Sequence, residues 1–190
     1  MPTRQHSNQL LESKTVALLA IDLQTKLMPA IFEPERVIKN TVLLLQLGQM
    51  LSIPTILTTQ YAQGLGPVVS EVACAAPGVA VFDKTSFGCF GDENFLRRLK
   101  QAVPDRSTLL VAGVETHVCV TQTVLGALDA GYTVHVAEDA TSSRTRENRK
   151  IGLNRMARAG AVMSSTEMMI YELLRKSGTP EFKAILPLLK

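Results

Sequence analysis

The sequence predicts an α/β fold, a three-layer doubly wound (Rossmann-like) sheet of about six parallel strands with helices on both faces. The first observation behind this is that short β-branched apolar runs such as Val16 to Ile21 are continuous rather than alternating, the pattern of strands covered on both sides. The second is that segments of helical spacing separate these runs, and strands interleaved with helices make a parallel sheet. The third is scale. The chain has 190 residues, 46% apolar and 19% charged, with no linker, repeat or low-complexity tract. That makes one domain over 1–190 whose core requires neither disulfide nor metal.

Val16 to Ile21 is the first strand. Pro34 and Glu35 then open a helix to about Met50, because proline in the first turn forfeits no hydrogen bond and an acid there meets the positive end of the helix dipole. Pro54 to Thr58 is the second strand, and a glycine-rich loop through Gly64 and Gly66 follows. Val79 to Phe82 is the third strand and Asp92 to Ala102 a helix. Thr108 to Ala112 is the fourth strand, after a Pro104-Asp105 turn. Val118 to Ala130 is a helix with Val120, Val124 and Leu128 stacked on one face, closed by Gly131. Thr133 to Ala137 and Ala161 to Met163 are the last strands, with helices at about Glu147 to Arg158 and Glu167 to Arg175, the latter capped by Thr166.

Composition excludes several classes of protein. The apolar runs are far shorter than the roughly 20 residues a membrane helix needs. Residues 1–14 read as a flexible N-terminal extension without the apolar core of a secretory signal. Cys74, Cys89 and Cys119 are an odd set with no CxxC pair, which points to a reducing, cytoplasmic location and away from a thiolate metal site. The net charge of +3 owes much to Arg144, Arg146, Arg149, Lys150, Arg155 and Arg158. They read as a solvated helix face, with a patch for anions as the other reading. No phosphate loop or dinucleotide fingerprint occurs, so no cofactor, nucleic-acid or membrane partner is expected.

In a doubly wound sheet the ligand lies beyond the carboxyl ends of the strands. Three chemically apt residues fall there: Asp22, Lys84, and Cys119 at the start of a helix. A thiol at a helix N-terminus is expected to have a lowered pKa, a carboxylate can take its proton, and an ammonium can hold the charge that results. Each also has a plainer use. Asp22 can cap a turn, Lys84 can be a solvated surface residue, and Cys119 can be a small buried hydrophobe.

The segments Leu19-Ala20-Ile21-Asp22-Leu23-Gln24, Lys84-Thr85-Ser86-Phe87 and Ala112 to Val120 resemble the isochorismatase-like cysteine hydrolase superfamily, over about Thr15 to Leu174. The loop Gln60 to Pro67 is most similar to the isochorismatase-domain-containing branch. The resemblance implies Cys119 as nucleophile, Asp22 as base and Lys84 between them. It also implies a cis peptide between Val114 and Glu115, and an oxyanion hole from the Glu115 and Cys119 amides. Its reaction would be hydrolysis of a C–N bond in a small amide or carbamoyl substrate through a thioester. Isochorismatases proper, which cleave a vinyl ether, can lack the cysteine. The resemblance further implies a homo-oligomer, dimeric or larger.

Tyr61, Phe87 and His117 are candidates to line the substrate pocket, with Phe90 another possible wall. Nicotinamidase-like members carry metal ligands after the second strand, where this chain has Thr58-Thr59-Gln60, so no metal is expected. Among the histidines, His6 lies near the N-terminus and His135 within a strand. Two other functions stay open on sequence grounds: a non-catalytic binding or scaffold protein on the same fold, and a vinyl-ether hydrolase.

Overall fold

The computed structural model describes residues 10–189; His6 and the rest of 1–9 lie outside them. Six parallel strands, β1 (Val16–Ile21), β2 (Thr55–Gln60), β3 (Val81–Lys84), β4 (Thr108–Val114), β5 (Thr133–Ser142) and β6 (Val162–Ser164), form one sheet in the order β3-β2-β1-β4-β5-β6. The helices are α1 (Pro34–Met50), α2 (Ala62–Leu65), α3 (Ser70–Ala75), α4 (Glu93–Ala102), α5 (Thr121–Asp129), α6 (Arg146–Ala159), α7 (Thr166–Leu174) and α8 (Pro180–Ile185). The direction of winding reverses between β1 and β4, and such a switch point opens a crevice at the carboxyl ends of the two strands.

Alternation along β1 explains why its sequence is continuously apolar. Val16, Leu18 and Ala20 face the layer that holds α1, α3, α7 and α8, whereas Ala17, Leu19 and Ile21 face the layer of α4, α5 and α6. Burying each large aliphatic side chain stabilises the fold by about 1.5–3 kcal/mol. β1 and β4 also approach closely. Gly113 has φ +119°, and a Cβ there would lie 2.1 Å from the Ile21 carbonyl oxygen, so the register at the switch point requires glycine.

Several boundaries differ from those read in the sequence. β2 excludes Pro54, which has no N–H to give, and continues through Gln60. β3 begins later and ends on Lys84 itself. Thr166 does not cap α7: Ser165 Oγ accepts from the Met168 N–H, while Thr166 gives its own N–H and hydroxyl to Asp139 Oδ1. β5 runs past Ala137 to Ser142, with a register shift against β4 that opens the backbone near Glu138–Thr141.

That opening corrects the reading of the basic segment. Arg149 is half-buried, donating from Nε to Thr141 O (3.0 Å) and from Nη2 to Glu138 O, and Arg36 and Asn40 take Asp139 O. Part of the positive charge therefore serves carbonyls that the ladder leaves free. Of the extension over 1–14, Leu11 is buried and its N–H donates to Glu172 Oε2 at 3.1 Å. No helix among the described residues is long and apolar enough to cross a membrane.

Candidate active site

β1 ends by turning sharply at Asp22, which takes the left-handed conformation (φ 56°) that aspartate tolerates better than most residues. The turn sends its carboxylate inward. Thr58 Oγ1 donates to Asp22 Oδ1 at 2.7 Å, and Lys84 Nζ donates to Oδ2, also at 2.7 Å. Both side chains of the ion pair are fully buried. A charge so placed persists only with partners close at hand, and Lys84 has a second one, Gln60 Oε1, at 2.8 Å.

Cys119 reaches the same place from β4. The Val114–Glu115 peptide is cis. Beyond it, Thr116–Val120 forms a wide turn before α5 begins at Thr121. The thiol thus sits in a π turn and not at the α-helix start read from sequence. The Thr121 N–H and hydroxyl both donate to Thr116 O, the hydroxyl at 2.6 Å, which holds the wider i→i+5 spacing. α6 packs close against this turn at Gly152, where a Cβ would lie 2.9 Å from Thr116 O.

The electrostatics of Cys119 also differ from those read in sequence. Burial pushes its thiol up to about 12; the Asp22 charge adds to that, Lys84 opposes it, and a hydrogen bond with Asp22 raises it further. The resting group is a neutral thiol, because desolvation outweighs the lysine. Cys89, buried against Thr123, is raised to about 11, chiefly by burial. Cys74 is exposed and so not a core residue.

The other named residues differ in burial and partners. Glu115 is nearly buried and accepts from the Arg144 N–H (3.0 Å) and Nε (3.1 Å), which ties the cis peptide to the end of β5. His117 Nδ1 lies 3.0 Å from Ser143 Oγ. Tyr61 and Phe87 are 52% and 55% exposed. Phe90 instead packs on Phe95 and Tyr132. Cavities of about 400, 470, 420 and 160 Å³ lie elsewhere among the described residues, and none is lined by Asp22, Lys84 or Cys119. No group of three or more His, Cys, Asp or Glu among those residues is placed to hold a metal ion.

Sequence reasoning missed Thr58, Gln24 and Gln60 as members of the site. Gln24 is fully buried. A buried glutamine two residues after a strand-end aspartate is the signal that could have found it, since burial of an amide demands partners.

An acid, a lysine and a thiol thus converge at the switch point of a doubly wound α/β scaffold. The isochorismatase domain family model matches residues 16–168, and the chain belongs to that family. It is 41% identical over 176 residues to a secreted isochorismatase effector of Phytophthora sojae, covering 91% of this chain and 83% of that one. It is 37% identical over 173 residues to isochorismatase domain-containing protein 2B of Mus musculus, covering 91% and 80%. A solved structure called MAR1 ribonuclease from Caenorhabditis elegans superposes with TM-score 0.88 at 34% identity, over 95% of this chain and 92% of that one. An octameric hydrolase of unknown specificity from Escherichia coli gives TM-score 0.87 at 27% identity, over 94% and 90%.

Proposed function

We propose that this isochorismatase-family hydrolase cleaves the C–N bond of a small amide or carbamoyl substrate with Cys119 as nucleophile. The observation that carries the reading is the Asp22–Lys84 pair, fully buried and hydrogen-bonded beside a buried thiol. A neutral thiol with a pKa near 12 calls for proton transfer coupled to attack rather than a standing thiolate. Asp22 takes the Sγ proton as sulfur bonds to the substrate carbonyl carbon, and the Lys84 charge stabilises the developing anion.

The carbonyl oxygen, now negative, is received by the backbone N–H groups of Glu115 and Cys119. Collapse breaks the C–N bond, the amine leaves with the proton from Asp22, and water then hydrolyses the thioester and restores the thiol. Tyr61, Phe87 and His117 are assigned in this reading to contacts with the substrate. The step needs neither a metal nor a cofactor.

Assembly as a homo-oligomer is part of this reading, supported by the octameric relative at 27% identity. A reducing, cytoplasmic compartment suits two buried unpaired thiols, although one relative is called secreted.

Ammonia release from a panel of small primary amides and ureas, compared between the wild type and Cys119→Ala, tests the proposal. At least one compound is expected to be turned over about 10³-fold faster by the wild type. Equal turnover by both proteins would overturn the cysteine mechanism.

A further inference from the structure

We infer that Gln60 is a positioning residue that fixes the Lys84 ammonium between the base and the thiol, an inference that rests on the cysteine-hydrolase reading above. Lys84 Nζ carries three protons. One goes to Asp22 Oδ2 and one to Gln60 Oε1, at 2.7 and 2.8 Å. A lysine held by the carboxylate alone would be free to swing toward full neutralisation of its partner. A second acceptor opposes this, leaving one proton directed by the first two.

The amide is itself held in one orientation. Gln60 Nε2 donates to Thr85 O at 2.8 Å, so Oε1 must face the lysine. Its backbone is locked as well: the Gln60 N–H donates to Gln24 Oε1 at 2.8 Å, while Gln24 Nε2 donates to Gln60 O at 3.1 Å and to Gly66 O at 2.8 Å. Gln24 fixes Gln60, and Gln60 fixes Lys84. This clamp occupies the end of β2.

Neutrality of this acceptor matters. The Cys119 thiol is already raised by the Asp22 charge and lowered by Lys84. A second carboxylate on Lys84 would cancel the ammonium's pull on sulfur and make deprotonation harder. An amide supplies a hydrogen-bond acceptor without that charge.

Acrylamide adduct formation at Cys119, followed by mass spectrometry in the full-length wild type, Gln60→Glu and Gln60→Met at pH 8, tests the inference together with turnover and melting temperature. Below the thiol pKa, each unit of upward shift reduces thiolate tenfold. Gln60→Glu is therefore expected to be alkylated about tenfold more slowly, and Gln60→Met within about threefold of the wild type. Both are expected to lose about ten- to a hundredfold in kcat with KM little changed, as misplacement of a catalytic group predicts.

Wild-type alkylation and kcat in Gln60→Glu would overturn the inference. So would equal slowing of alkylation in both variants with a lowered melting temperature, which marks a merely structural residue. If the wild type turned over no amide, the reaction assignment would fall, while the alkylation order of the three proteins would still decide the role of Gln60.

Discussion

The two ends of the sheet bury ionisable groups in opposite ways. At the carboxyl end, Asp22 and Lys84 are sealed from water with a partner at each carboxylate oxygen and two acceptors on the ammonium. At the amino end, His135 of β5 is also buried, yet its Nδ1 has no partner among the described residues, and burial holds its pKa below the ordinary histidine value against an upward pull from Glu172. Burial at one end is compensated so that charge is kept, and at the other it enforces neutrality. Cys119 lies at the charged end but follows the second rule.

The largest break in this contrast comes from stranding one charge. Lys84→Met leaves Asp22 buried without its counter-ion and is expected to cost about 3–5 kcal/mol in urea unfolding. Adding Asp22→Asn to that variant should recover most of the loss. A single-variant cost below about 1 kcal/mol would show that the pair is not sealed as described.

A smaller effect is expected from Thr58→Val, which keeps shape and removes the hydroxyl that donates to Asp22 Oδ1. It should cost about 1–3 kcal/mol by the same measurement, and an unchanged midpoint would mean the carboxylate finds another donor.

The smallest effect lies at the amino end. The His135 pKa is lower in the folded chain than in the unfolded one, so on acidification the unfolded state takes up the proton first. His135 thus removes stability as pH falls through the ordinary histidine range, down to its own folded pKa, and restores it on return to neutral pH. The slope is at most about 1.4 kcal/mol per pH unit for one proton. His135→Phe is expected to flatten the urea midpoint between pH 7 and 5 relative to wild type, and parallel profiles would remove His135 from the account.

The six strands were legible because continuous apolar runs mark buried parallel strands, although only β1 ends where it was read, and Asp22, Lys84 and Cys119 could be set at one rim from the pattern alone. Gln60 was not. A polar residue after Thr58-Thr59 reads as loop, and β2 extends to it because its backbone pairs with Lys84 of β3 and with the side chain of Gln24. The lowered thiol pKa expected for Cys119 failed for a related reason. Helix-terminus arguments assume some exposure, whereas this thiol sits in a π turn, 6% exposed, where desolvation dominates. The helix α8 did carry a local signal, since Thr179 caps it, Pro180 opens it and Glu181 lies in its first turn.

The order of strands in the sheet also sets a sequence of events during synthesis. β1 lies at the centre, but its neighbour on one side is β4, which ends at Val114. Asp22 and Lys84 both leave the ribosome before Cys119. At about 5–20 residues per second, the 35 residues from Lys84 to Cys119 take roughly 2–7 s to emerge. Throughout that interval one flank of β1 is an open ladder of backbone donors and acceptors, with the charged pair beside it. The flank of β1 that β4 covers therefore stays exposed to wrong strand pairing until shortly before Cys119 arrives, and the closure of β4 onto β1 both ends that exposure and brings Cys119 to Asp22 and Lys84.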